Sequence, residues 1–218
     1  LTITVNPGAR QTFGGMGFNL VSNFAAGWPT NEADQKTFVT NFFQDSRFRN
    51  IVLWGSDWMN RIDSVSADTA GVGVKAPFLT FLSAAQAAGA DFFMLMPIND
   101  RPLAAHVSFW ARCAKMWNNR GVKLNAMTFL NKPNTGRGSP DSGKLMRPPS
   151  DVVNGVKLLR KTLDSLALPN THIGSPSIVE WHPRTWLSYG DRYDFTDGDT
   201  LTYMNTLIAD NEAIASMK

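Results

Sequence analysis

A cluster of polar side chains ends an apolar stretch of the chain at residues 131–134 (Asn-Lys-Pro-Asn). The apolar residues 124–130 predict a strand, and the proline and asparagines, which favour turns, end it. Lys132 is the cluster's titratable side chain. A lysine that loses its water shell has a lowered pKa and can form a Schiff base with a carbonyl substrate. A lysine that stays charged would instead pair with Asp57, with Glu180 or with the carboxylate of an acidic sugar.

Similar polar and aromatic side chains follow the other predicted strands. In a βα barrel the carboxyl ends of the strands meet at one face, where functional groups lie. Glu180, Trp181 and His182 form a polar and aromatic group suited to a sugar hydroxyl, although a loop salt bridge between Glu180 and Arg184 explains the carboxylate equally well. The candidate residues, from the first strand to the fifth, are Asn19; Asp57 and Trp58; Asn99, Asp100 and Arg101; Asn131 and Lys132; Glu180, Trp181 and His182.

The sequence predicts neither a metal site nor a cofactor site. The three histidines are scattered, without the short spacing of metal ligands. The loop at residues 136–144 lacks the glycine and lysine spacing of a phosphate-binding loop. Cys113 falls in a helical pattern and is predicted to be a buried thiol.

Strand and helix patterns alternate along the chain about every 40 residues, the spacing typical of βα units. Such units predict a parallel sheet with right-handed crossovers in one domain, residues 1–218. The architecture is either part of a (β/α)8 barrel, with about five of the eight units, or an open doubly wound sheet. A short strand at residues 1–5 precedes the five strands of the units, which are residues 11–18, 50–56, 91–97, 124–130 and 172–178. The predicted helices are 32–45, 77–88, 106–119, 150–166 and 200–208. Gly89 and Gly121 end the second and third helices, and Ser150 and Asp151 cap the fourth.

Composition and charge exclude several classes of function. With 218 residues, of which 43% are hydrophobic, the chain can bury one sizeable core. The net charge of +3 is not gathered into a basic stripe, which argues against nucleic-acid binding. No apolar run approaches the ~18 residues of a membrane span. The chain begins at Leu1 without a signal-peptide pattern, which suggests a mature product or a fragment.

Four motifs in order resemble glycoside hydrolase family 30 and its clan A relatives. QTFGGMGFN resembles the family's opening strand, NIVLWGSDW the second and LNAMTFLNKPNTG the fourth, while TYMNTLIADNEAIASMK resembles the helix before the sixth. The resemblance implies a (β/α)8 barrel, a β-linked glycan as ligand and an extracellular or secreted location. The third strand departs from the family, with MPINDRP in place of a Trp-Ser-Pro-Pro type of loop.

The same resemblance predicts that this chain is inactive. Retaining glycosidases of this kind need two carboxyl groups ~5 to 5.5 Å apart. The family's fourth-strand loop reads Asn-Glu-Pro, and its glutamate is the general acid/base, a position that Lys132 occupies here. The nucleophile belongs on a seventh strand, beyond Lys218. Glu180 is the remaining candidate for a catalytic carboxylate, since the family's aspartate at the position of Asp57 more often orients neighbouring groups.

Three functions remain open from the sequence. The first is a scaffold related to β-glycan hydrolases, inactive as this chain. The second is a non-catalytic carbohydrate-binding or interaction protein, and the third is an unrelated open α/β enzyme, disfavoured by the lack of a nucleotide-binding or nucleophile motif. Because five parallel units leave two sheet edges unpaired, self-association or a second chain that completes the barrel is also predicted.

Overall fold

Five strands form one parallel sheet in the order of the chain. The computed structural model describes residues 17–20, 29, 31–45, 49–54, 76–97, 102–131, 147–174 and 200–217. A doubly wound sheet reverses its strand order at a switch point, whereas a barrel adds each strand beside the last. The sequential order confirms the partial-barrel prediction and not the doubly wound alternative. The strands are β1 (Gly17–Leu20), β2 (Asn50–Trp54), β3 (Asp91–Pro97), β4 (Ala126–Asn131) and β5 (His172–Gly174).

Helices follow each strand, as βα units require. Among the described residues, no helix is both long enough and apolar enough to span a membrane. A π-helical segment, Thr40–Asp45, continues the first helix. The helices are α1 (Glu32–Val39), α2 (Ala76–Ala87), α3 (Leu103–Asn119), α4 (Pro149–Ser165), α5 (Thr200–Ala209) and α6 (Asn211–Ser216).

The predicted bounds agree with the structure for most elements. β3 has the predicted bounds, and α3 begins three residues earlier than predicted. The prediction that Ser150 and Asp151 cap α4 is wrong, because the helix begins at Pro149 and both residues lie in its first turn. A proline suits that first position because its fixed φ is helical and its missing N–H would have no partner there. Residues 1–5, 11–16, 55–56 and 175–178 of the predicted strands lie outside the described residues.

The two faces of the sheet differ in burial. Side chains alternate between the faces of a strand, so every second residue shares a face. One face packs against the helices and is fully buried. The other face is half-buried. The helix-covered face carries Ile51, Leu53, Phe92, Met94, Met96, Met127, Phe129 and Ile173, and the half-buried face carries Val52, Phe93, Leu95, Ala126 and Thr128.

The aromatic side chains of α3 belong to this core. Trp110 and Trp117 are almost completely buried, and Cys113 lies on the same side of the helix with no exposed surface. The prediction of a buried thiol is therefore confirmed. These two tryptophans are core residues and offer no surface on which a sugar could stack.

Helix α3 ends in a Schellman motif at Gly121. Val122 N donates to Trp117 O (3.0 Å), and Gly121 N donates to Asn118 O (3.0 Å). Gly121 has a φ of 82°, in the left-handed region where a residue without Cβ is favoured. The sequence prediction that this helix stops at Gly121 is confirmed.

Helix α4 ends in the same motif with an alanine at the corresponding position. Leu168 N donates to Leu163 O (2.9 Å), and Ala167 N donates to Asp164 O (3.0 Å). Ala167 has a φ of 57°, so its Cβ crowds the backbone. The two helix ends thus form a matched pair, with glycine at one and strained alanine at the other.

We expect Ala167→Gly to raise the free energy of unfolding by about 0.5–1 kcal/mol, because it relieves left-handed strain at a helix end. Gly121→Ala should lower it by about 1 kcal/mol for the reverse reason. No heavy atom lies within 4 Å of a Cβ built at position 121, so the alanine makes no steric clash and its cost comes from backbone strain. Equilibrium urea unfolding measures both changes. If both substitutions changed the free energy of unfolding in the same direction, left-handed strain would not explain the difference between the two helix ends.

An ion-pair cluster docks α6 on α4. Lys157 Nζ lies 2.9 Å from Asp210 Oδ2 and 3.6 Å from Glu212 Oε2. Asp210 also caps α6 by accepting a hydrogen bond from Ala213 N (2.9 Å). The hydrogen bond to Asp210 raises the pKa of Lys157, and the bonds from Ala213 N and then from Lys157 lower the pKa of Asp210. The cluster fixes the position of the last described helix.

Candidate functional site

The carboxyl ends of the five described strands lie at the same end of the sheet. Leu20 lies beside Leu53, Trp54 lies beside Leu95, and Thr128 lies beside Gly174. Since every pairing is parallel, residues that follow the strands leave the sheet on the same side. The structure therefore brings together the five strand ends from which the sequence predicted the site residues.

The predicted site residues themselves fall mostly beyond these ends. Asn131 is the last residue of β4, and Lys132 follows it directly in the chain. Asn19 lies within β1 and not after it, because the strand runs to Leu20. The others lie outside the described residues: Asp57, Trp58, Asn99, Asp100, Arg101, Lys132, Glu180, Trp181 and His182.

A β-bulge interrupts β4 just before Asn131. Leu95 of β3 pairs with Thr128, and Pro97 pairs with Asn131, so two steps along β3 match three steps along β4. Leu130 within the bulge has a φ of 62°, in the left-handed region that a bulky residue rarely adopts. Bulges of this kind, with one extra residue, are frequent next to active sites.

The bulge changes which face of the sheet position 131 belongs to. With regular alternation, position 131 would fall in step with Met127 and Phe129, on the face that the helices cover. The extra residue instead puts the Pro97–Asn131 pair in step with the Leu95–Thr128 pair, on the half-buried face. In a barrel this is the inner face. The chain thus leaves β4 from the inner side of the sheet.

Sequence reasoning missed the bulge, and the residues give little signal for it. The stretch contains no glycine, and neither asparagine nor aspartate, which tolerate a positive φ, occupies position 130. Phe129 and Leu130 read as the continuation of an apolar strand. The one available signal is two successive large apolar residues where alternation would give one.

At the opposite end of the sheet, where the strands begin, polar side chains form hydrogen bonds with the backbone. Gln86 receives a hydrogen bond from Lys123 N (3.1 Å) and donates one to Lys123 O (3.0 Å). Asn125 donates to Asp91 Oδ1 (2.7 Å) and accepts from Phe92 N (2.9 Å). These bonds join α2 and β3 to the segment that enters β4.

The connection from α4 to β5 is held in the same way. Arg160 donates to Thr171 O (2.8 Å) and Leu168 O (3.0 Å), and Thr171 Oγ1 donates to Leu124 O (3.1 Å). A cavity of about 330 Å³ beside these bonds is lined by the same loops and by the end of α3. Polar groups at the amino ends of the strands therefore stabilise the fold, which leaves the carboxyl ends for function.

No cluster of three metal-binding side chains occurs within the part of the chain that the structure describes. His106 is buried in α3, His172 is exposed at the start of β5, and His182 lies outside the described residues. The first two thus lie on different elements, in keeping with the scattered spacing in the sequence.

Comparison with known proteins finds similarity of structure only. No family model matches the chain, and neither does any curated protein sequence. The catalytic domain of a family 30 xylanase C from Talaromyces cellulolyticus superposes with a TM-score of 0.62 at 15% identity, covering 95% of this chain and 52% of that one. The family 30 subfamily 8 xylanase Xyn30A from Clostridium acetobutylicum gives 0.57 at 15%, covering 95% and 49%.

A third solved structure, the endo-β1,6-glucanase BT3312, gives a TM-score of 0.58 at 16% identity, covering 80% of this chain and 46% of that chain. At such low identity these matches establish the fold alone. The chain has the β/α-barrel fold of these glycoside hydrolases and spans about half of their length.

Proposed function

We propose that this chain is a family 30-like β-glycan-binding scaffold that does not cleave its ligand. The observation that carries the proposal is the bulge of β4, which puts position 131 in step with the inner face immediately before Lys132. Strained backbone persists where function requires it, and here it precedes the position at which the family's motif has its acid/base.

The nature of the ligand follows from the side chains after the strands. Carboxylate, amide, indole and imidazole groups provide the hydrogen bonds and aromatic faces that sugar rings use. We propose Asp57, Asn99, Asp100, Asn131 and His182 as the polar contacts, with Trp58 and Trp181 as stacking surfaces. Support comes from the fold shared with two xylanases and a β1,6-glucanase. A polymeric glycan ligand implies that the protein works outside the cell.

The absence of cleavage follows from Lys132. A protonated lysine cannot serve as the neutral acid that donates to the leaving oxygen and later takes a proton from water. Glu180 is the carboxylate proposed to lie nearest to the sugar in its place. The retaining mechanism requires one carboxyl group as acid/base and a second as nucleophile, and we propose that Lys132 occupies the first of these positions.

Binding without turnover is the test of this proposal. Isothermal titration of the chain with soluble xylan and with β1,6-glucan fragments should show binding to at least one, with no reducing sugar released on long incubation. Asn131→Ala should weaken the binding. Gln86→Ala, at the end of the sheet where the strands begin, should leave the binding unchanged. Absence of binding to any β-glycan would refute the proposal.

We also propose that a further polypeptide segment pairs with the free edges of the sheet. Among the described residues, β1 and β5 each pair with one neighbour, and the half-buried face carries Phe93 and Leu95. A closed barrel of this fold has eight strands. Either a second copy or another chain could supply the strands that cover these groups.

Light scattering during size-exclusion chromatography tests the assembly proposal. We expect a mass at least twice the 24.0 kDa of the chain. We expect this association because it would bury the half-buried face completely and would pair the edge strands. A monomer that unfolds cooperatively would contradict the proposal, and would mean that the sheet edges are covered within one chain.

A further inference from the structure

The strained bulge of β4 needs support from its surroundings. A left-handed leucine costs about 1–2 kcal/mol, and such a conformation persists only where neighbouring contacts determine it. Leu130 and Phe129 are both completely buried, so the bulge lies within the packed layer between the sheet and the helices. The supporting contacts must therefore come from the helices behind β4.

Helix α4 makes the first of these contacts through a glycine. The tip of the Phe129 ring approaches Gly155 so closely that a Cβ built there would lie 2.0 Å from Cζ and 2.2 Å from Cε1. No side chain larger than hydrogen fits between them. The ring of Phe129 is thus seated directly on the helix backbone.

Helix α3 makes the second contact through a buried histidine. The rings of His106 and Phe129 meet edge to face, with centroids 6.4 Å apart and planes at 77°. Trp110 lies behind His106 with centroids 6.3 Å apart. Both residues are completely buried, so the histidine ring has little freedom to move away from Phe129.

We propose that Phe129, held between Gly155 and His106, locks the bulge and acts as a positioning residue for Asn131, which precedes Lys132 in the chain. The ring fixes the residue next to Leu130 on the helix-covered face. Leu130 must then absorb the extra position, and Asn131 comes into step with the inner face. The role of those two positions in glycan binding rests on the proposed function, whereas the lock itself does not.

Amide hydrogen exchange of two matched variants tests the lock. Phe129→Leu removes the ring, and Phe92→Leu makes the same change at an equally buried residue of β3 on the same face. After correction for the global stability of each variant, exchange at residues 128–131 should accelerate at least tenfold in Phe129→Leu and less than twofold in Phe92→Leu. Equal exchange patterns in the two variants would overturn the proposal.

A second pair of variants covers the case in which Phe129→Leu does not fold. His106→Ala removes one side of the seat, and Met116→Ala removes a buried side chain elsewhere on α3. Only the first should accelerate exchange at residues 128–131, again by at least tenfold. Similar exchange in both would count against the lock.

Glycan affinity separates the lock from the proposed function. The affinity should fall at least tenfold in Phe129→Leu and less than twofold in Phe92→Leu. If the wild-type chain binds no glycan, the proposed function fails, while the exchange rates still decide whether the lock exists. If exchange accelerates but affinity is unchanged, the lock does not position the binding residues.

Discussion

The purified chain should hydrolyse no β-glycoside above the rate of buffer alone. General acid–base catalysis by a positioned group contributes about 10²–10⁴-fold, and we propose that Lys132 occupies the position of that group. Aryl β-glucosides, β-galactosides, xylan and β1,6-glucan are the substrates to measure, with a reducing-sugar assay over a day.

Two variants give this expectation its control. Lys132→Glu puts a carboxyl group at the proposed acid/base position, yet we expect no gain, because the retaining mechanism also needs a nucleophile carboxylate ~5 to 5.5 Å away and no proposed site residue is assigned that role. A gain would reveal that a second carboxylate is already in place. Turnover by the unmodified chain that is abolished by Glu180→Gln would contradict the account and move catalysis to Glu180.

Gly155→Ala should be the most destabilising small substitution among the glycines that the structure describes. Its Cβ would lie 2.0 Å from a ring atom of Phe129, which is held between two helices. Overpacking of a core costs about 1–3 kcal/mol, occasionally more, and the gain in helix propensity offsets about 1 kcal/mol. Because a contact of 2.0 Å calls for a cost at the upper end of that range, we expect a net loss of about 2 kcal/mol in urea unfolding.

Asn154→Ala is the matched control for this substitution. Residue 154 is the exposed neighbour of Gly155 in the same helix, so its change should be within about 0.5 kcal/mol. Adding Phe129→Leu to Gly155→Ala should recover part of the loss, because the two sites share one contact. Additive losses in the double variant would show that the ring is not the obstacle.

Much of the fold was predictable from the sequence, for identifiable physical reasons. In the strand Asp91–Pro97, residues 92–96 form a continuous apolar run, which is typical of a strand in a parallel sheet. The ends of α2 and α3 were marked by Gly89 and Gly121, both of which have a positive φ. The end of α4 carried no such mark, because Ala167 takes the position of the glycine.

The site was predictable only in part. The parallel order of the strands was enough to predict that their carboxyl ends, where the candidate residues were expected, lie at the same end of the sheet. The bulge was not predictable, since it depends on Phe129 packing against Gly155 and His106, which are 26 and 23 residues away in sequence. Local patterns carry no information about such a contact. The strand end was therefore predicted one residue too early, at Leu130 instead of Asn131, and without its change of face.

Mapping glycan binding onto the backbone tests the central claim most directly. In an NMR titration of isotope-labelled protein with the best-binding glycan, amides at the carboxyl ends of the strands should shift: Leu20, Trp54, Asn131 and Gly174. Amides at the amino ends, Asn50, Asp91, Ala126 and His172, should not. Shifts confined to the amino ends, or to the cavity between α3 and α4, would contradict the account.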